Sequence, residues 1–193
     1  MCKEIVIDDF EWYSIHKAEP EQINSFRKKI KEGKNIAIIS EAGCPCIADP
    51  GQILVHEAQQ MNEIVKPLVG PNSILLALMA SGLNGQHFSF IGYLPIGNVE
   101  RIKKIKQLEE ESSKIKCTQI FIETPYRNNK MLETILQVCN PATQLCIAAE
   151  LTSPNEWIKT KTIADWKKEK TDLHKKPAIF LIYVNNSGPL GFT

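Results

Sequence analysis

No apolar run in this 193-residue chain is long enough to cross a bilayer. The longest, Ile74 to Ala80, falls far short of the roughly 20 residues that a spanning helix needs. The opening Met1-Cys2-Lys3-Glu4 has none of the character of a signal peptide. There are six cysteines but no C-x-x-C pair, and Cys46, Cys117, Cys139 and Cys146 lie in apolar or strand-like surroundings. That argues against a secreted disulfide framework and for a reducing cytoplasm. Cys44-Pro45-Cys46 offers two thiols with no matching His or Cys pair, so no metal is expected. Only four histidines occur (His16, His56, His87, His174), none with a nucleophile at a readable spacing, so none is assigned to catalysis. Internal repeats and low-complexity tracts are absent too. A soluble, cytoplasmic protein is expected.

Net charge is also nearly lacking, at +1, but it hides an asymmetry. Met1 to Tyr93 carries 8 Lys+Arg against 11 Asp+Glu, whereas Leu94 onward carries 15 against 11. The basic second half permits contact with phosphates without demanding it. With 43% hydrophobic residues, the chain can build one large core or two small ones. Leu94-Pro95-Ile96-Gly97-Asn98 reads as a linker, which predicts domains over 1–93 and 94–193.

Periodicity and punctuation predict alternating elements. Pro20 to Lys34 reads as an amphipathic helix leaving through Gly33, and Asn35 to Ser40 as a buried strand. Glu63 to Val69 reads as a strand at an edge, because of Pro67, and Ser73 to Ser81 as an apolar helix stopped by Gly82. Free N–H groups from Asn72 to Leu75, in its first turn, are expected to face a ligand. His87 to Tyr93 is strand-like, and Val99 to Ser113 is a charged helix with Arg101, Lys103, Lys104 and Lys106 off its apolar side. Strand Thr118–Thr124, helix Asn128–Val138, strand Gln144–Leu151, strand Trp157–Thr162, helix Ala164–Lys168 and strand Ala178–Val184 follow, then a loose tail from Asn185. Such alternation in both halves makes the chain α/β.

The most informative stretch runs from Ser40 to Gly51: Ser-Glu-Ala-Gly-Cys-Pro-Cys-Ile-Ala-Asp-Pro-Gly. It joins a predicted strand to a helix carrying Ile53, Leu54, Ala58 and Met61. Loops at such places bind ligands in open α/β sheets, and they also serve as plain connectors. Gly43 permits close approach to the backbone, Pro45 and Pro50 stiffen the loop, and Asp49 is placed to cap the helix.

This loop resembles the signature of the ribosomal RNA small-subunit methyltransferases (cytidine 2′-O type) of the tetrapyrrole methylase superfamily. Gly70-Pro71-Asn72-Ser73-Ile74-Leu75-Leu76-Ala77-Leu78, Phe88-Ser89-Phe90-Ile91-Gly92-Tyr93-Leu94-Pro95 and Ile122-Glu123-Thr124-Pro125-Tyr126-Arg127 match in the same order. Ala148-Ala149-Glu150-Leu151-Thr152 is a weaker fifth match, and the resemblance covers about Asp8 to Tyr183. It implies two α/β domains with a cofactor cleft between them, and a homodimer. It also implies methyl transfer from S-adenosylmethionine to a ribose 2′-hydroxyl of 16S ribosomal RNA, with no membrane or DNA partner. Motifs of Gly, Pro, Ser and Ala suit a cofactor held by main-chain groups, and methyl transfer needs mainly alignment.

Carried over by resemblance, the cofactor positions are Ala42, Gly43, Cys44 and Pro45, then Ser73, Ile74 and Leu75, then Ile122, Thr124, Ala149 and Glu150. Cys44 stands where threonine is more usual. On the acceptor side, Glu123 is a candidate to orient or deprotonate a ribose hydroxyl and Arg127 to hold a phosphate. The alternative is a surface carboxylate and an arginine covering a helix start. Family members open with a strand, a Gly/Pro loop and a helix forming one wall of the cofactor site. Here the match starts downstream, with Ile5-Val6-Ile7 and Phe10 to Ile15, so the N-terminal domain is expected to be incomplete. Two other readings stay open: methylation of a tetrapyrrole or another small molecule, and a non-catalytic chain that binds RNA or a partner.

Overall fold

The computed structural model describes residues 10–15 and 20–185. Ile5-Val6-Ile7, His16 and the expected tail beyond Asn185 lie outside them. The chain divides into two units, Met1–Gly70 and Pro71–Thr193.

In the first unit, helix α1 (Pro20–Lys31) begins on a proline and ends where Gly33, at φ +74°, donates its N–H to Ile30 O at 2.8 Å. Its predicted apolar face, Ile23, Phe26 and Ile30, is half-buried. Helix α2 (Gln52–Gln60) buries Leu54 and Ala58. Arg27 ties the two helices, its Nε and Nη2 reaching Glu57 Oε2 at 2.7 and 2.6 Å.

The strands expected at Asn35–Ser40 and Glu63–Val69 do not form among the described residues. Both segments enter no ladder, and their apolar side chains face outward: Leu68 is 89% exposed, Val69 fully so, and Ile39 and Ile64 also lie open. The apolar runs were real, but a strand is a pairing of two chains. Composition of one segment cannot supply its partner.

The second unit is built on a mixed sheet. Its strands are β1 (Phe88–Tyr93), β2 (Thr118–Ile122), β3 (Gln144–Ala149), β4 (Trp157–Thr162) and β5 (Ala178–Tyr183), in spatial order β1-β2-β5-β3-β4. β1 and β2 are parallel, and every other pair is antiparallel. Helices α3 (Ser73–Ser81), α4 (Asn98–Ile115), α5 (Asn128–Val138) and the short α6 (Ile163–Trp166) complete it. The α/β expectation therefore holds. The boundary read after Tyr93 and the division at Gly70 do not coincide, since β1 stays with the sheet to which it is bonded.

β5 is buried along its whole length, and its side chains alternate between two cores, as the period of two requires. Phe180 and Ile182 join Ile105, Leu108, Phe121, Met131, Ile135, Leu145 and Trp166 on the side of α4 and α5. Ile179, Leu181 and Tyr183 join Ala77, Leu78, Ile120, Cys146 and Ala148 on the side of α3. Phe121 and Phe180 stack at 5.8 Å, and Trp166 Nε1 donates to Leu145 O at 2.8 Å, so the indole is buried without an orphaned donor.

One residue of the charged helix departs from its expected solvated place. Arg101 is buried, with Nη1 on Ile96 O at 2.9 Å, Nη2 on Asn98 Oδ1 at 2.7 Å and Nε on Thr134 Oγ1 at 3.2 Å. The guanidinium thus fastens the segment after β1 to α4 and α5, and a phosphate does not compete for it. Lys103 and Lys106 remain exposed.

Two outcomes are expected. Arg101→Met should cost about 1.5–3 kcal/mol in urea unfolding, the range for hydrogen bonds to a charged group; an unchanged midpoint would show these bonds to be idle. In hydrogen exchange, amides of 35–40 and 63–69 should exchange on the order of a thousandfold faster than those of β5, for want of a ladder.

Candidate functional site

The sheet topology decides where the predicted residues emerge. β2 and β3 both run antiparallel to β5, hence parallel to each other, and β1 runs parallel to β2. Register lines up Tyr93 with Ile122, Ile122 with Ile179, and Ile179 with Ala148. The C-terminal ends of β1, β2 and β3 therefore leave the sheet at one edge, where α/β folds usually place ligands. Ile122, Glu123, Thr124, Ala149 and Glu150 are all at this edge.

The loop after β2 is tightly organised. Glu123, its side chain 1% exposed, accepts three N–H groups on Oε1: Thr124 N at 2.7 Å, Arg127 Nε at 3.0 Å and Arg127 Nη2 at 2.6 Å. The expected alternative of a solvated carboxylate does not hold. Arg127 N also donates to Thr124 O at 2.9 Å, closing the turn that starts α5. The Arg127 side chain is 36% exposed, so the guanidinium is aimed by a buried carboxylate while part of it stays open.

Beside it lies an open cavity of about 530 Å³ lined by Tyr93, Leu94, Pro95, Ile96, Thr124 and Arg127. Thr124 and Arg127 are among the residues that the sequence singles out, whereas Leu94 to Ile96 read there as a linker. Only the parallel pairing of β1 with β2 makes these residues line a site, although the motif Phe88 to Pro95 was a signal. Glu150, at φ +54°, is held by its N–H on Pro177 O at 2.9 Å. Lys175 N in the same segment donates to Pro125 O at 3.1 Å, so one connection ties the loops after β2 and β3 together.

At α3, Asn72 Oδ1 accepts from Ile74 N at 3.0 Å and Leu75 N at 3.2 Å. Two of the four amides expected to face a ligand, those of Ile74 and Leu75, are thus taken by the N-cap, and any contact from these two residues must use other atoms. Ile74 and Ile122 pack against the same core, which sets the start of α3 on the sheet face at the end of β2.

The Ser40–Gly51 loop belongs to the first unit. Three of its residues take left-handed backbone, Gly43 at φ +75°, Cys46 at +70° and Ala48 at +55°. Asp49 holds it, accepting Cys46 N at 3.1 Å and Gly51 N at 2.9 Å on Oδ1; it does not cap α2, whose N-cap Gly51 has no side-chain bond. A Cβ on Gly51 would come within 2.8 Å of Ile38 Cγ2, so the loop closes on the chain there. A Cβ on Gly43 would meet nothing within 4 Å, which leaves a bare, kinked backbone beside Ala42, Cys44 and Pro45. Ser40 Oγ lies 3.0 Å from Ala42 O, and Cys44 Sγ lies 3.8 Å from Gly70 O. Burial, then the Asp49 charge, pushes the Cys46 thiol up, which argues against thiolate chemistry.

The sequence profile of the tetrapyrrole (corrin/porphyrin) methylases matches residues 5–166. The chain is 35% identical over 158 residues to ribosomal RNA small subunit methyltransferase I of Vibrio cholerae, covering 80% of this chain and 54% of that protein. It is 34% identical over 167 residues to the enzyme of the same name from Buchnera aphidicola (subspecies Schizaphis graminum), covering 85% and 57%. It thus spans a little over half the length of the curated relatives it matches. Among solved structures it resembles the methyltransferase CobJ (TM-score 0.60, 17% identity, covering 92% of this chain and 76% of that one). It also resembles the cobalt precorrin-4 methyltransferase CbiF (TM-score 0.53, 15% identity, covering 88% and 72%). At those identities the likeness is one of fold.

The loop carries its own test. Burial opposes ionisation of Asp49, but the Cys46 and Gly51 amides and the Ser40 hydroxyl outweigh it and hold the carboxyl below its usual range. A folded pKa below the unfolded one gives stability that is complete above the ordinary Asp pKa of about 3.9 and is lost as pH falls through the lower folded value. Asp49→Asn should therefore be less stable than the parent at about pH 7, and the gap should narrow as pH falls below about 3.9. Urea midpoints across that range decide it; a gap that does not change with pH would mean the charge is idle.

Proposed function

The chain belongs to the tetrapyrrole (corrin/porphyrin) methylase family, and from that premise we propose an S-adenosylmethionine-dependent methyltransferase acting on RNA, with a ribose 2′-hydroxyl of 16S ribosomal RNA as acceptor. The observation that carries this reading is the edge where β1, β2 and β3 end together around the Glu123–Arg127 pair and its cavity. Small-subunit ribosomal RNA as partner, a cytoplasmic setting and a homodimer belong to the same reading. So do the domain limits 1–93 and 94–193.

In this reading each unit, taken by itself, offers groups of the kind the cofactor needs. It needs donors and acceptors for an amino-acid end, a ribose and an adenine, and room for main-chain approach. Ala42 to Pro45 supply a bent backbone with space at Gly43, and Ile122, Thr124, Ala149 and Glu150 supply strand-end groups. Ser73 adds a hydroxyl at the start of α3. When bound, S-adenosylmethionine supplies an electrophilic methyl group.

The chain's own residues then have to align the acceptor. Arg127 would hold a phosphate next to the reacting ribose and so orient its hydroxyl. Glu123 is the positioning residue for that arginine. Its Oε1 already accepts three N–H groups, so the geometry favours aiming Arg127 over deprotonating the hydroxyl. The cavity wall of Tyr93 to Ile96 is apolar and sheds water from the same spot.

Calorimetry with S-adenosylhomocysteine tests the cofactor half, and mass spectrometry of methylated nucleosides from small-subunit RNA tests the other. Gly43→Val should abolish cofactor-product binding because its side chain fills the open space, while the protein still folds, less stable by about 1–3 kcal/mol for a β-branched residue at positive φ. Cys44→Ser should bind normally. Arg127→Ala should lower methylation roughly 10- to 100-fold while leaving the dissociation constant within about threefold, the cost of a charged hydrogen bond to the acceptor. Normal binding by Gly43→Val with loss in Cys44→Ser would overturn the assignment of the loop.

A further inference from the structure

Tyr126, between Pro125 and Arg127, leaves 71% of its surface in water, although a tyrosine ring gains from burial. It is not a loosely hung side chain. His174 meets the ring edge-on, with centroids 6.1 Å apart and planes at 76°, and Lys175 Nζ lies over one ring face, 6.0 Å from the centroid, which leaves the opposite face for a ligand.

The segment that brings these two neighbours is fixed at several points. Lys175, at φ +60°, donates its N–H to Pro125 O at 3.1 Å. Asp172 Oδ1 accepts His174 N at 3.0 Å and Asn129 Nδ2 at 2.8 Å, and Asn129 Oδ1 accepts Leu173 N at 2.7 Å. Leu173 is fully buried, and Asn128 Nδ2 donates to Lys176 O at 2.6 Å. The connection between α6 and β5 is thus pinned to the first turn of α5. It sets His174 and Lys175 against Tyr126, whose neighbour in the chain, Arg127, lines the cavity at the strand ends.

We propose that Tyr126, flanked by His174 and Lys175, is a stacking platform for an unpaired base of the RNA, with Lys175 and Arg127 on its phosphates. This rests on the RNA part of the reading above and narrows it to a nucleotide held out of a helix. A paired base has no face to offer a protruding ring, whereas a single-stranded one stacks on an aromatic side chain and leaves its backbone to neighbouring cations. A ribose 2′-hydroxyl beside the Arg127 cavity is reached most directly when its own base, or the next, is parted from the stack.

The test measures binding of a labelled single-stranded RNA decamer by fluorescence anisotropy, with the same sequence in a duplex as control, using the full chain. Tyr126→Ala should weaken single-strand binding roughly 5- to 150-fold, the alanine-scanning range for one stacked base. Tyr126→Trp should stay within about threefold of the parent, and duplex binding should not change. Lys175→Met should flatten the salt dependence of single-strand binding by about 0.7 in log–log slope, one phosphate contact. Single-strand binding unaffected by Tyr126→Ala, or lost equally for the duplex, overturns the platform, as does a parent chain that does not bind the single strand. Calorimetry with S-adenosylhomocysteine on the same proteins separates the two readings. A platform that behaves as expected in a chain with no cofactor-product binding would sink the methyltransferase reading and leave this one standing.

Discussion

β5 has no side facing water, and the second unit follows from that. A strand buried on both faces has to be apolar at every position, and Ala178 to Tyr183 meets this with alternate residues serving opposite cores. It must also be bonded on both edges, because an unpaired buried N–H or C=O costs about as much as a lost hydrogen bond. β2 and β3 fill those edges, both antiparallel to it. Their C-terminal ends then emerge together, whatever the loops beyond them contain. The site at that edge is a consequence of strand direction, and the loops only dress it.

The first unit shows what happens where that constraint is not met. Ile36, Ile39, Ile64, Leu68 and Val69 have strand-like sequences, yet they stay exposed on extended chain that pairs with nothing among the described residues. The Ser40–Gly51 loop between them is ordered by a different device. One carboxylate, Asp49, satisfies two backbone amides and closes a turn containing three left-handed residues. Local polar bonds fix a loop without a sheet, but they do not bury a strand's apolar face. Order in that loop and openness beside it are therefore compatible.

Much of the second unit was legible in the sequence because its signals are local. Asn128–Val138 and Trp157–Thr162 came out with the predicted bounds, and the other strands within about two residues, since helix periodicity and turn residues mark their ends. What was missed is non-local. Arg101 looked like part of a solvated face because a helical pattern does not reveal that Ile96 O, Asn98 and Thr134 would gather around it. Glu123 is a candidate to orient or deprotonate a hydroxyl on sequence grounds, with a surface acid as the alternative; its burial depends on the fold of the loop and on Arg127. Asn72 was read as a ligand-facing donor although its side chain already takes the amides beyond it. Of the site, the resemblance supplied motif residues, while the lining by Tyr93 to Ile96 and the meeting of Tyr126 with His174 needed the topology.

Glu123 and Arg127 show why burial of one partner and exposure of the other is useful together. An arginine on a loop has many rotamers, and ordering it for a phosphate costs conformational entropy at the moment of binding. A carboxylate with a side chain 1% exposed and bonds of 2.6 and 3.0 Å to the guanidinium settles that cost during folding. The carboxylate is tolerated inside because the same oxygen also takes the Thr124 amide, so its desolvation is offset by three donors. Had both partners been buried, no N–H would remain for a ligand; had both been exposed, solvent would screen the pair and leave the arginine undirected. The half-buried arrangement keeps direction and access at once, on the one edge of the sheet where three strands end.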